Sequence, residues 1–277
     1  MTVALSVLAL SPVSEGATAR TALRNTVDLA QHAESWGYRR YWVAEHHFVG
    51  VASSSPAVLI GILAAATSTL RVGAAAVQLG YTTAAAVVES FGTVEALYPG
   101  RLDLGLGRSS QRRAEALKAA SEKGPPAPVR RETEIRDGVI IPAPFDPTGL
   151  LLSPRLTASL AALQQPGAQS PEFEEQELAS TFAHWTHSIR SGHGAIPYPD
   201  PAHTPALHEA ERALVEDRLI TQFVGSPSTV ADRLDSLQKL TGADELVVTS
   251  VTHTHADRLR SYELLAKEWG LPHLLAA

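Results

Sequence analysis

Hydrophobic and polar positions along this chain switch repeatedly between two periods. Residues 3–10 (VALSVLAL) form a short apolar run stopped by Ser11-Pro12, after which Ala19, Leu23, Val27 and Ala30 recur at helical spacing up to Gly37. A strand followed by an amphipathic helix is the natural reading. The unit then repeats. Residues 41–44 read as a strand, Ser55 as an N-cap with Pro56 at the first helical position, and AVLIGILAAA as a buried helix. LRVGAAAVQL gives a third strand, residues 83–97 a third helix and GRLDLGLGR a fourth strand. Strand starts near Val3, Tyr41, Arg71 and Arg101 lie 38, 30 and 30 residues apart, the spacing of βα units in a parallel sheet. Near the far end Ser226 caps and Pro227 opens a helix to Gly242, followed by the strand DELVVTS and a helix over 256–269.

Both ends therefore share one βα grammar, which predicts an α/β fold of the TIM (β/α)8-barrel type, 1–277 as a single domain, with ligand-facing residues where strands end and loops begin. The middle breaks the pattern. Thirteen of the 18 prolines fall between Pro125 and Pro205, and GVII and GLLL are short and flanked by proline. Residues 110–225 read as an irregular, proline-rich and helical middle. Five barrel strands are recognisable; strands five to seven are not.

Composition narrows the function classes. A formal net charge of -6 with no basic run argues against nucleic acid and against an anionic membrane surface as partner. No run of about 18 apolar residues suggests a membrane span. The opening stretch has no Lys or Arg before Arg20 and reads as a first buried strand, with cytoplasm the expected compartment. The absence of cysteine excludes thiolate ligands, disulfides and cysteine nucleophiles.

Three places could carry chemistry. Glu45, His46 and His47 follow the second strand; adjacent residues there face opposite ways, so one histidine faces a ligand while the other supports the loop, or both merely fill a polar rim. Four small residues, Gly73 to Ala76, occupy the third strand, where a barrel interior ordinarily carries branched side chains; they leave room for a flat ring, or simply pack against a helix. The fourth strand ends in GLGRSS, where Arg108 and a helix start at Ser109 and Ser110 offer a phosphate site. No G-x-G-x-x-G follows a strand, so a bound pyridine nucleotide is not indicated. His253 and His255 in VTHTHAD could join His46 around a metal. The first strand has no H-x-H and the recognisable strand ends no carboxylate pair, so a metal-dependent hydrolase is the weaker alternative and no metal ligand is assigned. His184, His187 and His193 read as a helix face with polar exposure, and HEAERALVEDR as a solvated face.

Taken together, WVAEHHF, LRVGAAAVQL, ESFGTVEALYPGRLDLGLGR and the stretch from VGSPSTVADRL to KEWGL resemble the bacterial-luciferase-like flavin monooxygenases, over roughly residues 1–160 and 177–272. The resemblance implies a (β/α)8 barrel binding reduced FMN, or the deazaflavin F420, at the C-terminal ends of its strands. It makes His46 the residue beside the reactive ring. It places Ala75 and Ala76, joined by a non-prolyl cis peptide, under the ring, and Arg108 at the phosphate with Ser109 and Ser110 as weaker contacts. The implied reaction is monooxygenation of a small organic substrate with O2, or hydride transfer with F420. A separate flavin reductase as partner and a homodimer are further expectations. The stretches PEFEEQ and ELASTFAHW, between which the family carries its fifth to seventh strands, meet directly at Gln176 and Glu177, as an internal deletion would leave them. A flavin-binding protein without turnover is therefore the remaining alternative.

Overall fold

The computed structural model describes residues 3–47, 50–107, 134–136, 139–141, 184–187, 196, 207–213 and 222–273. Three βα units and a fourth strand open the fold: β1 (Ala4–Ala9), α1 (Ala19–Ser35), β2 (Arg40–Val43), α2 (Pro56–Ala66), β3 (Arg71–Gln78), α3 (Ala84–Leu97) and β4 (Leu102–Gly107). A hairpin of β5 (Glu134–Arg136) and β6 (Val139–Ile141) stands apart, so GVII does contribute a strand, but to a two-stranded antiparallel ribbon. A short helix α4 (Glu209–Ala213), then α5 (Pro227–Thr241), β7 (Glu245–Val248) and α6 (His255–Trp269) complete the described elements.

Local chemistry explains the boundaries. The Thr18, Thr83, Ser226 and Thr254 hydroxyls each accept a backbone N–H three residues on, satisfying a donor that the first helical turn leaves free. Ser55 occupies the cap position of α2 as expected, but its hydroxyl makes no capping bond; Pro56, fixed in φ, starts that helix. Gly242 and Gly270 end α5 and α6 in the left-handed conformation, at φ 67° and 73°.

Five strands form one parallel sheet in the order β4-β3-β2-β1-β7. The last strand pairs with the first, Leu5 opposite Leu246, which is the relationship that closes a barrel. The middle of the chain, where strands five to seven of the expected count would fall, lies mostly outside the described residues.

Leu5, Val7, Tyr41, Val43, Val72 and Ala74 present one face of the sheet to Leu29, Ala30 and Ala33 of α1, Ile60 and Leu63 of α2, and Leu265 and Trp269 of α6. Burying each large side chain stabilises by about 1.5–3 kcal/mol relative to exposure. Polar atoms in this layer are paired: Tyr38 Oη donates to the Tyr262 carbonyl at 2.9 Å and Trp269 Nε1 to the Val3 carbonyl at 2.8 Å. Glu34 holds the start of the α2–β3 connection by accepting backbone N–H groups of Ser68 and Leu70 at 2.9 and 2.8 Å. Burial opposes its charge, yet these bonds win and hold the carboxyl below its ordinary value.

The N-terminal end of the sheet carries a charge cluster. Asp103 of β4 accepts Arg40 Nε at 3.0 Å and Arg71 Nη2 at 2.5 Å, while Arg40 and Ser6 both donate to Glu245 of β7. All five strands of the sheet are thus tied at the end opposite the candidate site. No helix among the described residues is long and apolar enough to cross a membrane.

Candidate functional site

The loop after β2 is built around a buried carboxylate. Glu45 Oε2 accepts the backbone N–H of Gln78 at 2.9 Å, the Gln78 side-chain amide donates to the Glu45 carbonyl, and His47 Nε2 lies 2.7 Å from Glu45 Oε1. The His47 ring also packs on Tyr81, centroids 4.1 Å apart. One histidine is therefore committed to support. His46 is the other: its backbone N–H donates to the Ser53 carbonyl at 3.0 Å, and among the described residues its ring has no hydrogen-bond partner. Burial pushes the His46 imidazole below its usual value, His47 adds to this, and Glu45 opposes it in part. The shift favours the neutral ring, whose nitrogen can accept a proton.

Beside this loop β3 bulges. Val43 pairs with Ala74, so His46 continues from β2 next to the bulge. The peptide Ala75–Ala76 is cis, and the β3–β4 register shifts between Ala74 and Val77, leaving Ala75 exposed. Glycines on β4 make room for it. A Cβ at Gly105 would stand 2.4 Å from the Ala74 carbonyl oxygen, and one at Gly107 would stand 3.2 Å from the Ala76 Cβ. The alternating glycines of GRLDLGLGR carried this signal, as the small partners of a small-residue strand.

Arg108, Ser109 and Ser110 lie outside the described residues, immediately after Gly107 of β4. Their expected role therefore rests on their position in the sequence. Glu45, Gln78 and Tyr81 were not singled out as a unit from sequence; only the juxtaposition of β2 and β3 assembles them.

The metal alternative finds no ligand set. His253 Nε2 lies 3.1 Å from the Glu15 carbonyl, and His255 Nε2 lies 2.7 Å from Asp28 Oδ2. Among the described residues no three metal-ligating side chains come together. In the histidine-rich stretch His184 and His187 are partly exposed, and His193 lies outside the described residues. Residues 184–187 form a helical turn whose Trp185 is buried with Val51, Ile196 and Val251 above the strand ends, while His187 lies 3.6 Å from Glu211.

The sequence profile described as luciferase-like monooxygenase matches residues 3–137. The protein YvbT of Bacillus subtilis (strain 168) is 34% identical, over 96% of each chain, and the luciferase-like monooxygenase of Escherichia coli (strain K12) is 32% identical, over 95% of this chain and 96% of that one. The chain belongs to the luciferase-like monooxygenase family. Among solved structures, apo-MsnO8 superposes with a TM-score of 0.65 at 28% identity, covering 98% of this chain and all of that one. Two more distant likenesses show the fold: the oxygenating constituent of 3,6-diketocamphane monooxygenase of Pseudomonas putida in complex with FMN, and the coenzyme F420-dependent tetrahydromethanopterin reductase of Methanopyrus kandleri. Their TM-scores are 0.57 and 0.56, at 16% and 14% identity, over 99% and 97% of this chain and 100% and 98% of theirs. The fold is thus the family's α/β barrel, and membership makes the protein an oxidoreductase of the luciferase-like class. Both relatives' alignments, of 323 and 325 positions, exceed the 277 residues here, so the relatives carry stretches without a counterpart in this chain.

Proposed function

We propose that this protein is a monooxygenase that uses reduced FMN and O2 on a small organic substrate. The observation that carries this reading is the juxtaposition of His46, whose ring has no hydrogen-bond partner among the described residues and whose burial favours its neutral form, with the small-residue bulge at Ala75–Ala76. A flat ring needs one smooth wall and one polar group at its edge. Ala75 and Ala76 supply the wall, and the glycines of β4 keep its rear free of side chains. The fit to an isoalloxazine is thus a fit of shape and of a proton acceptor. Arg108 would hold the phosphate, with the Ser109 and Ser110 hydroxyls and amides beside it.

When bound, the flavin supplies the oxygen activation, and the protein supplies position, exclusion of water and a proton path. His46 accepts or returns a proton at an imidazole nitrogen. Glu45 and His47 position it without touching the reacting atoms, because the Glu45 carboxylate is engaged with Gln78 and His47 and the His47 ring packs on Tyr81. Without a dinucleotide fingerprint in the sequence, reduced flavin comes from a separate reductase, and the barrel works as a homodimer.

A second reading, hydride transfer with F420, is favoured by the likeness to an F420-dependent reductase of the same fold. Incubation with reduced FMN, a general flavin reductase and isotopically labelled O2, against a panel of small aldehydes, ketones and thioethers, tests the choice. One labelled oxygen atom in a product is expected. Turnover only with reduced F420, and no labelled product, contradicts the FMN reading.

A further inference from the structure

On the helix side of the sheet, away from His46, a small cavity opens where β1 ends, between α1 and α6. It is lined by Ser11, Asn25, Thr26, Tyr41, Arg258 and Tyr262 among others. Arg258 stands in the first turn of α6 and is only 6% exposed. Its guanidinium donates from Nη2 to the Thr252 carbonyl, but Nε, also buried, has no partner.

Among the described residues no carboxylate answers this charge. Arg258 has no ion pair among the described residues, and the groups acting on it electrostatically are the hydroxyls of Tyr262 and Tyr41. The Asp28 carboxylate on α1 is taken by His255 at 2.7 Å and His32 at 3.5 Å. A buried cation without a counter-charge is costly. Water can fill hydrogen-bonding positions in such a cavity, but it does not balance charge.

The rest of the wall favours an anion. Asn25 contributes an amide and Ser11 a hydroxyl, while the Thr26 and Tyr41 hydroxyls spend their protons on Ser11 or the Ala22 carbonyl and on the Thr26 carbonyl; the positive end of the α6 dipole lies at the same place. Room is limited to roughly one water-sized guest. We propose that this cavity is a binding site for one small monovalent anion of halide size, held by the Arg258 guanidinium. The site is independent of the flavin reading, since it lies behind the sheet and uses none of the residues assigned to the ring.

Thermal unfolding of the whole protein at constant ionic strength, exchanging gluconate for chloride or bromide, tests it. A saturable rise in Tm of about 2–5 °C with halide and none with gluconate is expected, by mass action on the folded state. Crystals grown in bromide should show an anomalous peak within hydrogen-bonding reach of the Arg258 guanidinium. Arg258→Met should abolish both effects; if that variant does not fold, the wild-type measurements decide alone. Identical unfolding curves in chloride and gluconate, absence of the bromide peak, or a halide response retained in Arg258→Met would each overturn the proposal.

Discussion

Gln78 and Glu45 are joined twice, once through the Gln78 backbone N–H to the Glu45 carboxylate and once through the Gln78 side-chain amide to the Glu45 carbonyl. The end of β3 is thereby fastened to the loop that carries His46. Because Glu45 is only 6% exposed, this clasp works without competition from water.

Glu45→Ala removes the acceptor and leaves a buried N–H unsatisfied. A loss of about 1–3 kcal/mol in unfolding free energy is expected. Urea denaturation measures it, and an unchanged midpoint would show that the clasp contributes nothing.

Two glycines offer opposite outcomes from one substitution. Gly105→Ala drives a Cβ toward the Ala74 carbonyl oxygen and should cost about 1–3 kcal/mol by overpacking, with weaker flavin binding as the bulge shifts. Gly92→Ala, on α3 with no atom within 4 Å of its Cβ, should gain about 0.5–1 kcal/mol from helix propensity. Equal effects from the two in thermal unfolding would contradict the packing described for β3 and β4.

Much of this arrangement was legible in the sequence. The apolar runs and the Thr, Ser, Pro and Gly signals located β1 to β4, α5, β7 and α6 to within a residue or two, because each strand is short, apolar and bounded by helix-starting residues. The proline-rich middle hid the hairpin of β5 and β6, whose strands have three residues each, too few to display a period. Partners across strands were also hidden. The expectation for His46 rests on its position after β2, whereas the Glu45–Gln78 clasp, the fit of Gly105 against Ala74 and the Arg40–Asp103–Arg71 cluster depend on register between strands. The burial of Trp185 was hidden for the same reason: four residues of helix do not reveal which side meets Val51 and Val251.

The cluster at the N-terminal end of the sheet has an expected acid response. Burial alone would raise the Asp103 pKa, but Arg71 and Arg40 outweigh it and hold the carboxyl below 3.8. A depressed carboxylate contributes stability that is present above its unfolded value and lost as pH falls through the lower folded one. Asp103→Asn should therefore destabilise the protein at neutral pH and flatten its loss of stability below about pH 4. Chemical denaturation at several pH values checks this; parallel wild-type and variant curves would contradict it.

For His46 the sign runs toward the neutral form. Its pKa lies below 6.5 in the fold, so the associated stability is present above that value and is lost as pH falls through the lowered folded value. Imidazole resonances followed by NMR, assigned with His46→Gln, should titrate below pH 6.5. Titration at or above that value would remove the basis for a neutral proton acceptor at pH 7.

The most direct measurement is an anaerobic titration of the protein with reduced FMN and, separately, reduced F420, followed by absorbance and thermal stabilisation. Saturable binding of reduced FMN, weakened at least about tenfold by Arg108→Ala and perturbed in its spectrum by His46→Ala, is the expected result; a tenfold loss corresponds to about 1.4 kcal/mol. No binding of either cofactor, or binding indifferent to both substitutions, would contradict the assignment of a flavin site to the ends of β2, β3 and β4.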